Sequence, residues 1–333
     1  MSRWISLFSS LLLGALLGLS GLASALDKLH VAHSSISGSQ AILWVTQDAG
    51  FFKKNEIDVT IIFVAGGPVV VKAMIAGDVP FGVMSGPGAV AANLEGADVT
   101  VLMSFVSTME HIIFTLPNIT KPSDLKGKKI AVSRYDSSDD FGGRFALQKW
   151  GLEPVRDVAI LQLGGQPSRF SALQAKAVDA TLLQPPMTVS ARKAGYFELA
   201  SLADLGLDYF GTSLITTRSY IRRHANVVRR FVKAMIEGIH FYKTNKQASL
   251  KSIAKFMKLN DADGLEETYN QYALKFMQRA PYPTVKGLET VIEELAKRNS
   301  KAKGIDARSY VETRFIKELE ESGYLAKLYG DKR

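Results

Sequence analysis

A chain of 333 residues is too long for one ordinary domain and suits two, and a hydrophobic content of 47% fits a folded protein with sizeable cores. The absence of cysteine excludes a structural disulfide, a thiolate metal site, a cysteine nucleophile and a lipidated-cysteine anchor together. The formal net charge of +9 would suggest a nucleic acid partner if it were concentrated, but acidic residues are interspersed and the tightest basic pairs, Arg222-Arg223 and Arg229-Arg230, fall on an amphipathic helical pattern as a solvated face.

Taken in order, the chain opens with Arg3, an apolar run from Leu11 to Leu19 and the small residues Ala23, Ser24 and Ala25, the pattern of a secretory signal peptide cleaved after Ala25. The run is short for a membrane span. Without a lipidated cysteine the mature protein is expected to be soluble and periplasmic. Residues 29–32 read as a strand, 33–39 as a polar loop, and 40–54 as a helix with Trp44, Phe51 and Phe52 on its buried side. A strand at 57–64, a Gly-Gly-Pro turn at 65–68, a proline-started helix at 69–76 and a strand at 81–84 follow. Ser85 to Gly88 lead into an alanine-rich helix, and 100–114 supplies two more apolar stretches.

The lysine-rich run 121–129 reads as a crossing into a second half, where the pattern restarts. Strand 130–133, loop 134–138 and a helix over 139–150 lead to strand 157–163, turn 164–167, helix 168–177 and strand 180–183. The two halves hold a common register: subtracting 99 pairs Asp157 with Asp58, Gly165 with Gly66, Pro167 with Pro68, Val178 with Val79, Gln184 with Ser85 and Pro186 with Pro87. Strands separated by such helices imply parallel pairing and a ligand cleft at the strand ends. An extended segment at 210–216 suits a return crossing. Helical patterns at 226–243, 248–257, 265–277, 284–298 and 309–319 are expected to pack back on the first half. The expected division is therefore 26–115 with 217–333 as one lobe and 116–216 as the other, joined by a two-strand hinge.

Several residues stand out at the expected cleft. Ser85 and Gln184 occupy matched strand ends, Gly66 and Gly67 let backbone approach a ligand, and Ser137 and Ser138 head a helix whose N–H groups can bind an acid group or simply be capped. Arg134 can pair an acid or a neighbouring aspartate, and Tyr135 can stack on a planar solute or cover its loop. Arg134 and the helix start favour an acidic solute, whereas Asp136, Asp139 and Asp140 favour a neutral or amine-bearing one. The five histidines show no metal spacing, and Gly82-Val-Met-Ser-Gly86 is not a nucleophile elbow.

Five stretches carry a family resemblance: Gly50-Phe-Phe-Lys-Lys54, Ala76-Gly-Asp-Val-Pro-Phe-Gly82, Ser123 through Val132, Ser133-Arg-Tyr-Asp-Ser-Ser138 and Leu173 through Asp179. In these the chain resembles the periplasmic solute-binding proteins of ABC importers, in the group for nitrate, sulfonates, taurine and thiamine precursors. The resemblance implies a two-lobed α/β fold of the type II periplasmic-binding kind, a monomer without cofactor that closes on its solute and docks on a membrane permease with its ATPase. It places ligand loops at Ser34 and Ser35, Gly66 and Gly67, Ser85 and Gly86, Tyr135 to Ser138, Gly165 and Gln166, and Gln184. Asp136 departs from the glycine often found before the serine pair. An enzyme on this scaffold, of the pyrimidine synthase or desulfinase kind, is the rival, but both depend on cysteine motifs. A sensory domain is a third reading, opposed by the signal peptide.

Overall fold

The structure, a computed structural model, describes residues 26–206, 208–297 and 299–331. The expected signal segment, residues 1–25, lies outside them. β1 (Asp27–His33) passes through a 3-10 turn at Gly38–Gln40 into α1 (Ala41–Asp48). The helix expected to run to residue 54 breaks at Gly50, whose left-handed backbone at φ 78° ends one helix before α2 (Phe51–Lys54) starts the next. β2 (Ile57–Phe63), α3 (Gly67–Ala76), β3 (Phe81–Met84), α4 (Gly88–Leu94) and β4 (Val99–Ser104) complete the first run.

The second run is β5 (Ile112–Thr115), β6 (Lys129–Val132), α5 (Ser138–Lys149), β7 (Ala159–Gln162), α6 (Gln166–Gln174), β8 (Ala180–Leu183), α7 (Met187–Lys193) and β9 (Phe197–Ser201). β10 (Ser213–Thr217) then precedes the helical tail: α8 (Arg218–Thr244), α9 (Lys246–Met257), α10 (Ala262–Tyr269) with a π-helical turn at Asn270–Phe276, α11 (Val285–Ala296), α12 (Arg314–Glu321) and α13 (Tyr324–Tyr329).

Two five-stranded sheets result, in the orders β2-β1-β3-β10-β4 and β7-β6-β8-β5-β9. β1 is parallel to β2 and β3, and β6 to β7 and β8. One strand of each sheet is antiparallel to both its neighbours: β10 between β3 and β4, β5 between β8 and β9. β5 therefore belongs to the second sheet, although the sequence reading ended the first lobe at residue 115, and β10 belongs to the first sheet although 213–216 were assigned to the second lobe. The error has a physical source. Ile113 and Phe114 are as fully buried as the residues of β4, so apolarity alone does not say which sheet receives them. The lysine-rich run is only a surface turn, Pro122–Leu125, before β6.

The true crossings, 105–111 and 202–212, run side by side. Phe105 and Tyr209 backbone N–H groups donate to Thr212 O (2.8 Å) and Ser107 O (3.3 Å), and Thr108 bridges Asp208. Gly211 permits the approach, since a Cβ there would sit 2.3 Å from Val106 O. On the first sheet α1 and α8 pack together, with Phe231 of α8 stacked on Phe81 at 4.1 Å between ring centroids. Burial of such a ring stabilises by about 1.5–3 kcal/mol. The basic pairs of α8 face outward, Arg229 to Glu318 at 2.7 Å and Arg230 to Asp27.

Candidate functional site

Loops from the carboxyl ends of the parallel strands meet between the lobes around a cavity of about 20 Å³. Ser34 and Ser35 follow β1, Gly66 and Gly67 follow β2, Ser85 follows β3, Ser133 follows β6, Gly165 follows β7 and Gln184 follows β8; all line it, with Ser39, Gln40, His111, Ser137, Ser138, Asp139 and Arg169. The matched positions Ser85 and Gln184 thus reach one wall-to-wall space. Its volume accommodates about one water molecule, so a larger solute requires the wall loops to move. A larger groove, about 580 Å³, lies at the opposite end of the first sheet among Lys28, Asp78 and Arg223, but it is open and bounded by one lobe alone.

Three helices, α3, α5 and α6, begin beside the cavity, which Gly67, Ser138 and the α6 N-cap Gly165 line. Their first N–H groups have no intrahelical acceptor, and their dipoles favour negative charge there. The one arginine on the wall is already committed. Arg169 meets Asp139 at 3.0 Å and donates to Gly164 O (2.6 Å), Leu182 O (2.9 Å) and Thr181 Oγ1 (3.3 Å). Asp139 also accepts from Ser133 N and Ser133 Oγ, both at 2.7 Å, and from Ser137 Oγ. Burial works to raise the Asp139 pKa, but Arg169, His111 and the two serine hydroxyls prevail and hold it below the usual carboxylate range.

At the hinge end, burial pushes Glu110 up to about 8 against the opposing effects of Ser39 and Gln184. Burial also lowers His111 to about 4, with Asp139 raising it and Arg169 lowering it, and His33 to about 4 against its bond to Ser35. The signs differ. Glu110, raised from 4.5, contributes stability fully present below that value and lost as pH rises through about 8. The histidines, lowered from 6.5, contribute stability present above that value and lost as pH falls through about 4. Melting temperature is expected to fall on both sides of neutrality, and Glu110→Gln should flatten the alkaline side when scanned from about pH 5 to about pH 9.

Five of the expected contacts do not line the cavity. Gln166 is buried but serves as a brace: its Oε1 accepts from Gln184 N (2.6 Å) and its Nε2 donates to Ile36 O across the lobes (3.2 Å). Gly86 abuts the start of α5, where a Cβ would lie 2.7 Å from Ser138 N. Arg134 lies over Gly66 and donates to Ser133 O at 3.1 Å. Tyr135 is 46% exposed, bonded to Ile160 O at 3.2 Å and covered by Arg144. Asp136, held at φ 61°, faces an outer pocket beside Pro68 and Lys72. Arg134→Gln, which keeps the Cγ packed on Gly66, is therefore expected to change solute affinity by less than about threefold in calorimetry, since the half-buried guanidinium lies off the cavity wall.

Sequence reasoning also missed lining residues. In the sequence Asp139 stands out only as a charge favouring a neutral or amine-bearing solute, Ser39 and Gln40 read as loop and helix start, and Arg169 does not stand out at all. A signal existed for Arg169: it lies four residues before Leu173 on the same buried helix face, where an arginine needs a partner.

Two α/β lobes joined by paired crossings and closed over strand-end loops define the periplasmic binding protein fold. The alkanesulfonate-binding protein SsuA of Xanthomonas axonopodis pv. citri, solved bound to MOPS, shares it, with a TM-score of 0.73 at 20% identity over 87% of this chain and 100% of that one. Residues 38–249, well over half the chain, match the family model described as NMT1/THI5 like, and the chain belongs to that family. A binding protein of Brucella abortus (strain 2308) is 29% identical over 238 residues, 70% of this chain and 73% of that one. The taurine-binding periplasmic protein of Escherichia coli (strain K12) is 29% identical over 209 residues, 60% of this chain and 62% of that one.

Proposed function

We propose that the protein captures a small polar solute in the periplasm and delivers it, as a monomer, to the permease of an ABC importer. The carrying observation is a buried polar cavity whose walls come from both lobes, so that solute and closure are linked. The helix starts of α3, α5 and α6 support an acid group on the solute, a sulfonate or carboxylate, held by backbone N–H groups rather than by an arginine. The relatives named for taurine and alkanesulfonate support the same class. Capture without chemistry is favoured because, among the described residues, the hydroxyls of Ser133 and Ser137 are held by Asp139, by each other and by backbone, and no serine hydroxyl of the wall bonds a histidine.

The test is a thermal-shift screen of sulfonates, carboxylates, nitrate, pyrimidines and amines. A solute at a hundred times its dissociation constant adds about 2.7 kcal/mol. Ser85→Trp and Gln184→Trp fill the cavity and are expected to abolish the shift while the unliganded proteins still unfold cooperatively. A shift that survives both substitutions would place capture elsewhere.

A further inference from the structure

The hinge end of the cavity is an acceptor wall. Gln40 and His111 line the cavity, and Gln40 Oε1 and His111 Nδ1 have no hydrogen-bond partner. These residues are only 1% and 5% exposed, so a donor for them has to come from within the cavity. Gln40 Nε2 reaches Ser39 Oγ at 3.4 Å, which leaves its oxygen as the unpaired end.

Glu110 sets the orientation of a third amide. Its Oε1 accepts from Nε2 of Gln184. A carboxylate only accepts, and a neutral carboxyl still has a carbonyl oxygen to accept with, so in either state Glu110 can take the NH₂ end of Gln184. The carbonyl oxygen of Gln184 then turns away from Glu110, on the residue that lines the cavity. The burial that keeps His111 neutral leaves an imidazole nitrogen able to accept as well. The Arg169 charge does not compete, because Asp139 pairs it and Gly164, Leu182 and Thr181 hold it in place.

We propose that Glu110 is a positioning residue for solute selection: by holding the Gln184 amide it completes an acceptor wall with Gln40 and His111, and the solute admitted carries an N–H donor, as an amine, amide or amidine. The inference rests on the capture reading and deepens it, the donor being required whether or not an acid group occupies the helix starts.

The experiment compares matched probes by calorimetry and thermal shift: 2-aminoethanesulfonate with ethanesulfonate, 3-aminopropanoate with propanoate, and 4-aminopyrimidine with pyrimidine. The amine member of at least one pair should bind about tenfold tighter or more, the factor that one satisfied buried hydrogen bond supplies. Glu110→Leu should bring that ratio to within about threefold, whereas Glu110→Gln, whose carbonyl also accepts from Gln184, should retain it. If Glu110→Leu does not fold, Gln40→Leu removes another acceptor of the wall and should lower the same ratio. Because the readout is a ratio between probes, a general loss of stability does not imitate it. Equal binding within every pair, no shift with any amine, or an unchanged ratio in the leucine variants overturns the proposal. Bare acids binding while amines do not would overturn it and leave capture standing; binding of 4-aminopyrimidine alone would support it and remove the acid group.

Discussion

Gly86→Val is expected to weaken solute binding by up to about a hundredfold, because it wedges the lobes apart. Gly86 belongs to the first lobe and has a left-handed backbone at φ 97°; a Cβ there would lie 2.7 Å from Ser138 N and 3.1 Å from Tyr209 Oη. Neither neighbour yields easily. Ser138 N is backbone at the start of α5, and Tyr209 is fully buried in the return crossing. Overpacking of this kind costs about 1–3 kcal/mol, borne mainly by the closed form, while the backbone strain of a β-branched residue at that φ adds roughly 1–2 kcal/mol to both forms. Calorimetry should show the lost affinity, and small-angle scattering should show the variant expanded at saturating solute. An affinity within about threefold of the parent would mean that closure does not bring these lobes into contact.

Arg169→Met is expected to destabilise the fold by about 3–5 kcal/mol, since it leaves Asp139 as an uncompensated buried charge and strips donors from the carbonyls of Gly164 and Leu182. At roughly 2–4 °C per kcal/mol for a unit of this size, the melting temperature should fall by roughly 6–20 °C. Asp139→Asn should also destabilise, and the double variant should recover part of the loss, because the pair is removed together rather than broken. A strictly additive double variant would show that the two side chains do not act on each other.

The parts of this fold legible in the sequence are those where local pattern and tertiary role coincide. β3 and β8 run over Phe81–Met84 and Ala180–Leu183, as their small and β-branched residues predict, and the 99-residue register places Ser85 and Gln184 at equivalent strand ends of one cavity. Where burial is equal on either side of a choice, pattern is silent. β5 carries the same apolar residues in the second sheet as it would in the first, and β9, with Phe197 and Glu198 exposed, has too weak an alternation to be read as a strand. The site shows the same limit. Loops that bring glycine and serine to the cavity were recognisable, whereas Arg134, Tyr135 and Asp136 looked functional because charge and aromaticity attract attention, although their side chains lie off the wall. The charged residues that do shape the wall, Asp139 and Arg169, are partners across thirty positions of chain, and pairing at that range has no local signature.

The exchange of β5 and β10 between the sheets bears on the order in which the protein is made. The first sheet holds β1 to β4 from the opening of the chain, but β10, which lies between β3 and β4, follows only after the whole second lobe has emerged. Every residue pairing of β10 with β4 spans more than a hundred positions, a slow closure by any loop-entropy measure. The second lobe has all five of its strands within residues 112–201 and can finish first. The nascent first half must therefore stay incomplete throughout that interval, with the facing edges of β3 and β4 unpaired until β10 arrives between them.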